Sequence, residues 1–241
     1  MAEDELTLRT GPTTAATRPV SYAPPMEPLL VLTIGQAPRH DIVAELADVM
    51  GERPVQVIGA LDGLTLSDTE AFPPTSADDT LHTRLADGAD VVVSKAEITI
   101  RLSKLIDEAG NRPILVACTG RFTGLPERAG ILYPSEVLRH LVEAVLPPGG
   151  RLGVLVPLEA QVAPFHDQWS ATGRPTTVVA VTPGQDPARA AAALRAAEVD
   201  IVILDCFGYS RSTLQTVREL TGRPVLSAVR CTAHLANELL G

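Results

Sequence analysis

From Pro28 onward, short runs of Val, Ile and Leu alternate with stretches of helical periodicity, and this alternation narrows the fold more than any other feature of the chain. Strands separated by helices belong to βαβ units and a mainly parallel sheet, whose members are apolar throughout because helices cover both faces. Strands are expected over 29–34, 54–59, 89–93, 113–117, 151–156, 176–181, 200–205 and 224–228. Four of them follow an Arg-Pro pair: Arg53-Pro54, Arg112-Pro113, Arg174-Pro175 and Arg223-Pro224. Proline disfavours the helical conformation of the residue before it and is tolerated at the first position of a strand, so each pair ends a helix and opens a strand. Asn111, Gly173 and Gly222 precede three of the pairs and suit a left-handed helix end. A structural role suffices for the four arginines.

The chain resembles itself. Leu29 to Gly35 (LLVLTIG) matches Arg151 to Pro157 (RLGVLVP) as an opening strand and loop, and ILVACTG matches VILDCFG as a later strand and loop. The expected architecture is α/β, with two pseudosymmetric lobes of mainly parallel sheets flanked by helices. The first lobe spans 29–134, with 224–241 as a candidate completion, and the second spans 135–223. Residues 1–28, rich in Thr, Pro and Ala, read as a flexible arm. The longer first lobe has room for a hairpin: Leu81 to Leu85, a turn at Asp87-Gly88, and Val91 to Val93.

Each half thus places one cysteine where an apolar strand gives way to a glycine turn: Cys118 before Thr119-Gly120, and Cys206 before Phe207-Gly208. In open α/β sheets ligands bind at the carboxyl ends of the strands, so the two thiols are offered to one cleft. Each is also compatible with the packing of a small buried hydrophobe. Cys231, near the start of the final helix, reads as core.

Composition excludes several classes. With 29 acidic against 20 basic residues, a net charge of −9 and no basic cluster, the chain lacks a nucleic-acid footprint. No apolar run is long enough to span a membrane, and residues 1–26 lack the apolar core of a signal peptide, so a cytoplasmic location is expected. Three cysteines and five histidines without C-x-x-C or H-x-x-H spacing argue against a metal site. No phosphate-cradling glycine motif is present, so no nucleotide cofactor is expected.

The segments Leu32-Thr33-Ile34-Gly35-Gln36-Ala37-Pro38-Arg39-His40-Asp41, Thr83-Arg84-Leu85-Ala86-Asp87-Gly88, Cys118-Thr119-Gly120 and Asp205-Cys206-Phe207-Gly208-Tyr209 together resemble the AroM family of the aspartate/glutamate racemase superfamily. The resemblance covers nearly everything after the arm. It implies two lobes with an active site between them and cofactor-free chemistry on carbon acids, in which one cysteine removes an α-proton and the opposite one delivers a proton to the other face. Cys118 and Cys206 occupy the matching places. The first cysteine is followed here by Thr119-Gly120 rather than Asn-Thr, and the second by Phe207-Gly208-Tyr209 rather than Thr-His, so the substrate need not be an amino acid. Members of the superfamily often form dimers, which makes a homodimer a candidate assembly.

The remaining site candidates follow from these loops. In the loop after the first strand, Thr33, Gly35, Gln36 and Arg39 stand at a helix start, where backbone N–H groups favour an anion and Arg39 is suited to a bidentate clamp on a carboxylate. Asp41 serves equally as a helix N-terminal acid. Thr119, Gly120 and Gly208 are candidate donors to an enolate-like oxygen, although turn formation accounts for the glycines as well. Phe207 and Tyr209 lie in the second cysteine loop, and Gln161 matches Gln36 by symmetry. Arg101 is a candidate substrate contact or a solvated-face arginine. Asp205 is expected to alternate away from the Cys206 thiol, since its charge close by would oppose ionisation. Ser135 reads as the cap of a helix starting near Glu136. The expected function is a cofactor-independent isomerase or racemase acting on a small carboxylate or carbonyl compound. The alternatives are a single-cysteine decarboxylase or lyase, and a non-catalytic small-molecule-binding regulator.

Overall fold

A computed structural model describes residues 28–240 of the chain. Apart from Pro28, the arm expected over 1–28 lies outside the described residues. The elements run β1 (Leu29–Thr33), α1 (His40–Met50), β2 (Val55–Gly59), α2 (Leu66–Thr69), β3 (Thr80–Arg84), β4 (Asp90–Ser94), α3 (Lys95–Ala109), β5 (Ile114–Ala117), β6 (Ile131–Leu132), α4 (Pro134–Val145), β7 (Leu152–Val156), α5 (Val162–Ser170), β8 (Thr176–Ala180), α6 (Ala188–Ala196), β9 (Ile201–Leu204), α7 (Arg211–Thr221), β10 (Val225–Ser227) and α8 (Ala228–Leu240). A single 3-10 turn, Glu159–Gln161, precedes α5.

Two four-stranded sheets form, ordered β2-β1-β5-β6 and β10-β9-β7-β8, and every pairing in them is parallel. Read in opposite directions the orders coincide, so β1 corresponds to β7 and β5 to β9. The chain of the first sheet switches direction between β1 and β5, and that of the second between β7 and β9. Crevices at such switch points are where open α/β sheets bind ligands.

The Arg-Pro pairs act through the proline carbonyls. Pro54 and Pro113 accept from the N–H groups of Leu29 and Leu30 on the two sides of β1, at 3.0 and 3.2 Å. Pro175 and Pro224 do the same for Leu152 and Val202, at 2.8 and 2.9 Å. A strand-opening proline loses only a donor, and the parallel ladder needs its acceptor. The buried Arg174 donates through Nε and Nη2 to the carbonyl of Leu146, just past the end of α4. Gly222 ends α7 in the left-handed region, as expected, whereas α3 ends at Gly110 rather than Asn111.

Period-two alternation splits each strand between two cores. Leu29 and Val31 of β1 and Val154 and Val156 of β7 face a shared interior with α1, α4 and α8. Leu30 and Leu32 pack against Ile98 and Leu102 of α3 on one outer face, and Leu155 and Leu204 pack against Leu194 and Val217 on the other. Helix α8 follows β10 of the second sheet and packs on α1 and α4, beside the first.

The hairpin pairs Thr80 with Ser94 through Arg84 with Asp90, closed by a loop over 85–89 in which Gly88 has φ 90°. Asp90 pairs with Arg84 across the strands at 3.1 Å. The two-residue β6 and the start of α4 depart from expectation: Pro134 opens the helix, Tyr133 holds the cap position, and Ser135 is buried in the first turn.

Candidate active site

Cys118 and Cys206 directly follow the loop residue or strand end beyond β5 and β9, at equivalent places in the two sheets, and both line one cavity of about 270 Å³. The two loops repeat the same local geometry. The N–H of Gly120 donates to Sγ of Cys118 at 3.3 Å, and the N–H of Gly208 donates to Sγ of Cys206 at 3.4 Å. An added Cβ would press on Leu81 Cδ2 at 3.1 Å from Gly120 and on Pro183 Cγ at 3.3 Å from Gly208, while standing at ordinary contact distance from the two sulfurs, 3.4 and 3.7 Å.

Burial raises both thiols, Cys118 to about 12 and Cys206 to about 11. The glycine N–H groups oppose it in each case, as do the positive charges of Lys95 for Cys118 and Arg39 for Cys206. In this state both sulfurs hold their protons at neutral pH.

Asp205 does not stand apart from the thiols. It is buried and lines the same cavity, and its negative charge raises both thiols further. Burial raises its carboxyl to about 6, against the pull of Trp169, Thr119 and Arg121. Thr119 Oγ1 donates to the Asp205 backbone oxygen at 3.0 Å, tying the first cysteine loop to the second.

Among the expected contacts, Arg39, Thr119, Gly120, Gln161, Phe207 and Gly208 line the cavity with the thiols. Thr33, Gly35, Gln36, Arg101 and Tyr209 do not. Thr33 accepts from Arg39 and from the Gly35 N–H. The Gln36 amide donates to the carbonyls of Leu61 and Leu64 and accepts from Ala86 N–H, fastening the loop to its neighbours. Arg101 pairs with Glu97 at 2.8 Å and stacks over Phe72. The Tyr209 hydroxyl donates to the Val181 carbonyl at 2.7 Å, and burial raises it far from ionisation.

Even the lining residues differ from expectation in their partners. The Arg39 fork is already closed on Asp41, at 2.9 and 2.7 Å. Burial alone would raise the Asp41 carboxyl, and Arg39, the Ile42 N–H and Arg84 together outweigh it and hold the carboxyl low. The N–H groups of Gln36 and Ala37 go to Arg84 O and to Asp62, so the loop offers no open anion nest. The Gly120 and Gly208 N–H groups serve the sulfurs rather than an oxyanion. Cys231 lies outside the cavity, on α8.

The hairpin supplies what the sequence reading missed. Thr80, His82 and Arg84 line the cavity from β3, and Asp90 lines it from β4. Thr80, His82 and Arg84 alternate with the buried Leu81 and Thr83, but all five residues of β3 line the cavity, so alternation by itself did not mark them. Burial lowers His82, and Arg84 and Arg39 add to the effect against the opposing pull of Asp90, so the imidazole is neutral at pH 7. Lys95 and Arg121 also reach the cavity. Among the described residues, no group of three or more His, Cys, Asp or Glu side chains is arranged to hold a metal ion, and no helix is long and apolar enough to cross a membrane.

The fold is that of the aspartate/glutamate racemase group. The maleate isomerase Iso from Pseudomonas putida S16 superposes with a TM-score of 0.54 at 14% identity, covering 89% of this chain and 93% of that one. Glutamate racemase isoform RacE1 from Bacillus anthracis gives 0.52 at 14% identity, covering 90% and 82%. Arylmalonate decarboxylase gives 0.51 at 14% identity, covering 89% and 93%. At these identities the likeness is one of fold. No curated protein matches the chain in sequence. A family model described as AroM protein matches residues 29–240.

Proposed function

The chain belongs to the AroM family, and on that footing we propose that it is a cofactor-independent isomerase or racemase-like enzyme that moves a proton at a carbon beside a carboxylate or carbonyl. The observation that carries this reading is the placement of two thiols, from equivalent strand ends of two sheets, against one small cavity. Inverting a carbon needs acid/base groups on both of its faces, and one thiol from each sheet is a candidate for each face. The fold is shared with enzymes whose names contain three small acids: maleate, glutamate and arylmalonate.

In the proposed reaction, one sulfur first gives up its thiol proton to solvent, then as thiolate takes the α-proton and leaves an enolate-like intermediate. The other, as thiol, returns a proton from the far side. The net result is a rearranged substrate and the two sulfurs with their protonation exchanged. Either sulfur can take the first role, since Lys95 opposes the cost of a thiolate at Cys118 and Arg39 opposes it at Cys206. The cavity of about 270 Å³ suits a small substrate.

The test is incorporation of solvent deuterium at the α-carbon of small carboxylic acids, followed by NMR. Cys118→Ser and Cys206→Ser should each slow exchange by about 10²- to 10⁴-fold, with Cys231→Ser within about twofold of the parent. Equal exchange by all three variants would remove thiol chemistry.

A further inference from the structure

Four buried polar atoms without a hydrogen-bond partner belong to residues that line the cavity: Nε2 of His82, which stands 3.4 Å from Asp90 Oδ1, Oγ1 of Thr83, which lies against Gly35, Nε of Arg121 and Oε1 of Gln161. Buried polar groups are as a rule paired, so the orphaned atoms of Arg121 and Gln161 point to a partner that the cavity is shaped to receive. Two of the four have a single role. Arg121 Nε only donates. Gln161 Oε1 only accepts, and its orientation follows from the other end of the amide, where Nε2 donates to the Thr80 carbonyl at 3.0 Å. His82 and Thr83 are adaptable, since a neutral imidazole nitrogen and a hydroxyl suit either kind of partner.

The cations divide in the same way. Arg39 and Arg84 are closed on Asp41 and Asp90. Lys95 and Arg121 line the cavity and make no ion pair among the described residues. Arg121 comes three residues after Cys118, whereas Gln161 comes from the loop after β7, in the other half of the chain.

We infer that the cavity takes a small carboxylic acid bearing a hydrogen-bond donor, a hydroxyl or an amino group, near the carboxylate, with Arg121 receiving the carboxylate and Gln161 the donor. This deepens the proposed function and rests on its reading of the cavity as a substrate site, though not on the thiol chemistry. An acid without the donor leaves Gln161 Oε1 buried and unpaired in the complex. Sites built to pair a substrate hydroxyl or N–H reject the analogue that lacks it for this reason.

The experiment is a binding comparison on the full-length protein, read by saturation-transfer NMR and titration, with lactate, malate, alanine and aspartate set against propionate and succinate. At least one donor-bearing acid should bind about tenfold or more tightly than its deoxy partner, and the hydroxyl and amino arms identify which donor is recognised. Gln161→Met should bring that preference down to about twofold or less while leaving the deoxy acid's affinity in place, and Arg121→Met should weaken all the acids. Because Gln161→Met also loses the bond to Thr80, the wild-type comparison is the primary measure, and the melting temperature of each variant reports its folding. Equal binding of donor-bearing and deoxy acids, or binding of none, overturns the inference. Selective binding without thiol-dependent exchange would overturn the proposed reaction alone, and exchange without selectivity would overturn this inference alone.

Discussion

The indole Nε1 of Trp169 donates to the carboxylate of Asp205 at 2.7 Å, and both side chains are buried. Trp169 is the only tryptophan in the chain, and Asp205 immediately precedes Cys206. A carboxylate that shares the cavity with two proposed catalytic thiols is therefore held by a helix that directly follows neither cysteine loop.

The protonation of Asp205 links this pair to stability. Its folded value of about 6 exceeds the ordinary 3.8, so its contribution is fully present below 3.8 and is lost as pH rises through 6. At about 1.4 kcal/mol for each tenfold change in proton affinity, the loss is about 3 kcal/mol. Asp205→Asn keeps an acceptor for Trp169 without the charge. Urea unfolding of the two proteins should show the variant gaining on the parent between about pH 4 and pH 6, with a constant gap above about pH 7. A gap that does not vary with pH would contradict the assignment.

Asp79 carries the opposite sign. Its carboxylate accepts from Thr75 N–H and Oγ1, from Ser94 Oγ and from Ala96 N–H, and so fastens the hairpin to the start of α3. Burial alone would raise it, and these hydrogen bonds outweigh burial and lower it. Stability tied to its charge is present above the ordinary value and lost as pH falls through the folded one. Asp79→Asn should cost about 1–3 kcal/mol at pH 7, and the cost should shrink below about pH 4. Chemical denaturation at the two pH values checks both parts.

The thiols should resist ionisation. An ordinary thiol titrates near 9.0, whereas burial places Cys118 at about 12 and Cys206 at about 11. In the Cys231→Ser protein, absorbance at 240 nm should show almost no thiolate up to about pH 9 and a rise only above about pH 10. Half-ionisation of either sulfur near pH 8.5 would overturn the assignment.

Gly35 meets the hairpin too closely for any side chain. An added Cβ would strike Arg84 O and Thr83 Oγ1, and its third neighbour is the Arg84 nitrogen at 3.2 Å. Two of these atoms are backbone, so relief requires the hairpin to shift. Gly35→Ala should destabilise the protein by about 1–3 kcal/mol in urea unfolding and loosen the wall that carries His82 and Arg84.

Much of this protein was legible in its residues. Apolar runs of strand length, glycine turns and Arg-Pro breaks are local signals, and they located the eight principal strands to within about two residues. The internal match of ILVACTG with VILDCFG pointed to two thiols at equivalent strand ends. The two-residue β6 was not legible, because so short a run has no periodicity of its own. The existing partners of Arg39 and Gln36 were not legible for a related reason. A loop sequence shows which donors exist but not that Asp41, Leu61 and Leu64 already engage them.

The order of apolar and turn residues along the chain therefore determined the α/β class and the carboxyl-end position of both cysteines, since strand and helix periodicity are properties of neighbouring residues. Tertiary structure alone decided which side chains share the cavity. The β3–β4 hairpin brings His82 and Arg84 to it, α5 holds Asp205 through Trp169, and Gln161 crosses to Thr80 from the second half of the chain. Those contacts join residues tens of positions apart, and their partners are chosen by packing and burial, which no local pattern encodes.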